Sequence, residues 1–151
     1  MEFIETTLES ILPYLEKLTP SSKALWGSMS AQRMIEHLTD SIRIATGENP
    51  QELLIEEAKI PKMILFLESD KPMAQNIEVP FAGKDTQLRN EEIELAVDEF
   101  VDAFLAFEEL YETNLDLTHI HPYYGPLNYQ QWQRLNAKHI THHLKQFGLI
   151  D

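Results

Sequence analysis

The chain contains no cysteine. A disulfide framework, a thiolate metal site and a cysteine nucleophile are thereby excluded, and the composition fits a cytoplasmic protein. Basic residues are scarce: 12 Lys and Arg stand against 25 Asp and Glu, a formal net charge of −13. Without a basic cluster to neutralise phosphates, nucleic acid is not an expected partner, and neither is an anionic membrane. Long apolar runs are missing too. The strongest, Met63 to Leu67 (MILFL), falls far short of the roughly 20 residues that a bilayer requires. The opening MEFIETTLES carries early acids and no basic stretch, so no secretory signal is expected. No internal repeat or low-complexity segment occurs.

What is present is enough for one domain over 1–151, since 43% of the residues are hydrophobic. Helical spacing of Ile4, Leu8, Ile11, Leu12 and Leu15 predicts a first helix from about Phe3 to Lys17, kinked or divided at Pro13. A second helix is expected to start after Ser30 as N-cap and to stop at Gly47. From Asn49 to Arg89 the pattern weakens. A helical segment there is cut by Pro61, and VPFAGK is the one place where a short strand is considered. The clearest helix starts near Asn90, with a stripe of Ile93, Val97, Phe100, Val101, Phe104, Phe107 and Tyr111. Glu91, Glu92, Glu94, Asp98, Asp102 and Glu109 lie off that stripe and are expected in solvent. A long link containing HPYYGP leads to the last helix, which Asn128 and Gln131 open as a capping box and Gly148 ends. Trp26 and Trp132 are expected in the core. Four substantial helices with a long crossover describe an all-α helical bundle.

Three of the six histidines fall in KHITHHLKQF. Setting His139 at zero and turning roughly 100° per residue puts Trp132 and Ile150 near +20°, Gln146 near −20° and His143 near +40°. His142 falls at roughly −60° by the same geometry, the margin of the stripe. His139 and His143 thus face inward one turn apart, the spacing at which two imidazoles on one helix reach one metal ion. Spacing alone also admits ordinary hydrogen-bonded core histidines. Of the candidates for a third ligand, His37 sits mid-helix beside Met34, Leu38 and Ala45, whereas His119 and His121 belong to the link. His37 is the preferred partner. Glu36 and Asp40 are expected to be solvated. Gln146 either orients an imidazole or is a satisfied core amide. His121, Tyr123 and Tyr124 either line a pocket mouth or pack the link against the bundle.

WGSMSAQRMIEHL, HPYYGPLNYQQW and KHITHHLKQFGLI together resemble the DinB-like superfamily, in a branch of unknown function. Members are four-helix bundles that bind a divalent metal, and some are bacillithiol- or mycothiol-dependent transferases. The resemblance implies one metal ligand from the second helix and two from the last, here His37, His139 and His143. Three neutral imidazoles suit Zn or Ni with a position left open, and a small-molecule substrate is expected. A metal-dependent thiol S-transferase or hydrolase is the leading expectation, with a low-molecular-weight thiol as cofactor, since the chain offers none of its own. The alternative is a metal- or small-ligand-binding, stress-related protein without turnover. The oligomeric state is left open, a homodimer among the options.

Overall fold

In a computed structural model the described residues are 2–76 and 87–151. They form α1 (Leu8–Leu15), α2 (Ala31–Thr46), a 3₁₀ turn (Glu57–Lys59), α3 (Ile60–Glu68), α4 (Ile93–Thr113), strands β1 (His119–His121) and β2 (Gly125–Leu127), and α5 (Tyr129–Gln146). The chain is mostly helical, as expected. No helix among the described residues is long and apolar enough to cross a membrane. VPFAGK lies outside the described residues.

Local chemistry explains most of the boundaries. Ser30 stays extended and its side chain accepts from the Arg33 N–H, so α2 begins there. Gly47, at φ +82°, ends it in a left-handed conformation. Asn128 and Gln131 exchange both capping-box hydrogen bonds at the start of α5. The first helix is shorter than its apolar spacing predicts. Thr7 caps it at Leu8, and the preceding stretch is extended, with the Ile4 N–H bonded to Thr141 Oγ1 of α5 at 2.9 Å. Pro13 sits inside this single short helix. Pro61, read as a break, instead lies in the first turn of α3, where its missing N–H leaves no bond unmade.

The link that contains HPYYGP holds a small antiparallel hairpin, with His121 opposite Gly125. Gly125 is favoured by its left-handed backbone, and it sits close against the movable end of Ile60. Its φ is +80°, and a Cβ there would stand 2.8 Å from Ile60 Cδ1. Leu54 N–H to Pro122 O, at 2.8 Å, ties the hairpin to the segment before α3.

The core gathers Ile11 and Leu15 from α1, Met34, Ile35, Leu38 and Ile42 from α2, Phe100, Phe107 and Tyr111 from α4, and Trp132 from α5. On α4 the acids expected in solvent are exposed. Its buried stripe, however, runs through Ala96 and Ala103, while Val97 and Val101 are only partly covered. α2 packs along α4, and small side chains on the stripe allow that close approach. Trp132 is fully buried as expected, but Trp26 is only half-buried, with its ring edge-on to His142.

Candidate metal centre

α2 carries His37 in its middle, and α5 brings His139 and His143 to it from one face. The Nε2 atoms of His37 and His139 lie 2.9 Å apart, and those of His143 and His139 lie 3.1 Å apart. One ring nitrogen from each residue fits within a 4.8 Å sphere of mutual distances. The ring planes are steeply inclined, at 85° between His37 and His139 and 77° between His37 and His143. Nitrogens bound to one Zn²⁺ at about 2.0–2.1 Å stand about 3.4 Å apart at a tetrahedral angle and about 2.9 Å at a right angle. The two short separations fall in the range that ligands to one ion would show, and also in the range of ring-to-ring hydrogen bonds.

The protons point the same way. Gln146 Nε2 donates to Trp26 O at 3.2 Å, which turns Oε1 towards His143 Nδ1 at 2.7 Å. His143 therefore carries its proton on Nδ1 and presents a lone pair at Nε2. His139 Nε2 faces that lone pair and His37 Nε2 together, and a single N–H cannot serve both. Burial also opposes imidazolium. It holds His37 down at about 4, helped by the Arg33 charge, and His143 at about 3, helped by His37. Burial and the neighbouring histidines push His139 well below its ordinary value. At neutral pH all three are neutral and competent to ligate. His143 is buried, whereas His37 and His139 keep some exposure.

The remaining candidates are placed as follows. Gln146 is the orienting partner of His143. His142 is outside the triad, half-buried, with its ring edge-on to Trp26 and to His143. His121 and Tyr124 are each 6% exposed and pack in the hairpin. The Tyr123 N–H donates to His121 Nδ1 at 3.0 Å, and the His121 ring lies against Tyr124 and Trp132. They do not form an open mouth, although His121 is near enough for its charge to disfavour protonation of His139. His119 packs against Gly47 and Tyr111, away from the triad.

Glu36 corrects an expectation. It is fully buried rather than solvated. Its carboxylate accepts from Arg89 N, Asn90 N, Asn90 Nδ2 and Gln32 Nε2, at 2.9–3.2 Å. Burial would raise its pKa, but those hydrogen bonds win and hold it low. It therefore anchors the segment before α4 to α2. Asp40 is half-buried between Arg33, at 3.5 Å, and Arg89, at 2.7 Å. Arg33 escaped the sequence reading, although its position one turn before His37 was a legible signal.

No curated protein and no solved structure matches this chain. The model of the family described as "Protein of unknown function (DUF1569)" matches residues 3–148. With nearly its whole length covered, the chain belongs to the DUF1569 family.

Proposed function

We propose that this chain is a divalent-metal-dependent enzyme of the DinB-like type, with Zn²⁺ or Ni²⁺ held by His37, His139 and His143. In that scheme α1, α2, α4 and α5 are the four helices of the bundle, and α3 with the hairpin belongs to its long connections. Support comes from the three convergent Nε2 atoms, for which one cation is a better partner than any arrangement of protons. Three neutral nitrogen ligands leave coordination positions free, as catalytic sites do and closed structural sites do not. When bound, the ion would act as a Lewis acid that holds a small-molecule thiol as its thiolate. The protein's own part is to keep the imidazoles neutral by burial, to fix the His143 tautomer through Gln146 and to leave access beside His37 and His139.

The test has two stages. Metal analysis of untagged protein should find one divalent ion per chain. The loaded protein should then accelerate attack of a biological thiol on a chlorinated nitrobenzene, forming the C–S bond and releasing chloride. Metal without turnover for any such thiol would favour the binding protein over the transferase. No stoichiometric metal would remove both.

A further inference from the structure

Arg33 is the buried charge that three histidine ligands leave unexplained. Its side chain is 9% exposed. It lies on α2 one turn before His37, on the same face. Its Nη1 reaches Asp40, seven residues along the helix, at 3.5 Å. Seven residues span about 10 Å of helix, so the guanidinium must extend alongside His37 to make that contact. Its Nε is buried and has no hydrogen-bond partner among the described residues. An unpaired buried donor on a charged group is rare and costly in a native fold.

Among the described residues, the carboxylates near Arg33 are already engaged, Glu99 among them by Arg43 and Arg89. The triad contains no carboxylate, so a divalent ion there keeps its full charge. Arg33 adds another positive charge at His37. Asp40 is shared with Arg89, and Glu36 is occupied by its four donors. With a divalent ion at the triad, an incoming anion would supply the negative charge that the described carboxylates near Arg33 already give to other donors.

We propose that Arg33 binds the carboxylate of a small-molecule ligand whose second donor atom sits on the metal, an assignment that rests on the metal centre proposed above. The Nε edge of the guanidinium is left available by the Asp40 contact, which uses Nη1. That edge is a planar fork matching a carboxylate, which an ammonium cannot reproduce. The partial exposure of His37 and His139 supplies the approach.

The Co²⁺-loaded full-length chain can be titrated with mercaptopropionate and with mercaptoethanol, reading the visible Co²⁺ spectrum. Wild type should bind the carboxylate thiol about tenfold more tightly than the neutral one. Arg33→Gln should bring the two within about twofold, with Co²⁺ stoichiometry and mercaptoethanol affinity unchanged. Arg33→Lys keeps the charge beside Asp40 but lacks the fork, and should show an intermediate preference. It carries the test if circular dichroism shows that Arg33→Gln has lost helix. Equal affinities in wild type, or a preference that survives both substitutions, would overturn the role of Arg33 and leave the metal centre standing. Stronger competition by inorganic phosphate than by acetate would overturn the carboxylate class. A wild type that binds no Co²⁺ would overturn the centre and this role with it.

Discussion

Lys138 and His139 are adjacent in sequence and follow opposite logic. Lys138 is 1% exposed, yet its ammonium is fully engaged. Nζ donates to Phe66 O, Ser69 Oγ and Lys71 O, three acceptors for three N–H bonds, and it lies 4.0 Å from the centre of the Phe66 ring. Arg134, one turn earlier, donates to Leu67 O and Ser69 O. Together the two cations close the carbonyl end of α3 and oppose its dipole. Among the described residues, His139 Nε2 faces two other imidazoles, and its single ring position cannot satisfy both with one proton. One polar cluster on α5 is complete among the described residues, and the other is the one for which we propose an added ion. Burial of polar groups is thus a weak pointer to function, and unmet hydrogen-bonding capacity is a stronger one.

That contrast can be broken from either side. His139→Ala should abolish tight metal binding, a loss of at least about 100-fold by titration, because His139 is the nitrogen shared by both short contacts. Lys138→Met should leave metal affinity unchanged and cost about 2–4 kcal/mol in urea unfolding, since it strands three acceptors at the end of α3. If Lys138→Met weakened metal binding as well, the two clusters would not be independent.

Gln146→Leu should weaken the metal by about 10–100-fold by freeing the His143 tautomer, and Gln146→Glu should restore much of it. A smaller effect is expected from pH on the metal-free protein. His37 and His121 titrate at about 4 and His143 at about 3 when folded, against an ordinary value of 6.5. Between those limits the unfolded chain binds more protons, so stability rises with pH across the window. Melting temperatures should fall as pH drops from 6.5 towards 4. A flat profile there would mean the imidazoles are not buried neutral. The smallest effect is local: Asn128→Ala should cost about 1 kcal/mol of stability and leave metal affinity intact.

The grouping of His37, His139 and His143 was legible in part, because two of its members sit one turn apart on a single helix. His139 and His143 announce themselves by their spacing on one stripe, and the caps at Ser30, Gly47 and Asn128 need only neighbouring residues. What escaped depends on distant partners. Glu36 reads as a solvated helix acid until Arg89 and Asn90 return 53 and 54 residues later to fill its oxygens. The hairpin strands are three residues each, too short for alternation to show, and Gly125 declares its role only against Ile60. On α4, hydropathy favoured Val97 and Val101, whereas packing against α2 selected the small Ala96 and Ala103.

The most direct test of the centre is a titration of untagged, metal-free protein with Co²⁺, followed through its visible absorption. Wild type should saturate at one ion per chain, and His139→Ala should give no such spectrum under the same conditions. Absence of the spectrum in wild type, or an identical one in His139→Ala, would contradict a metal held by His37, His139 and His143.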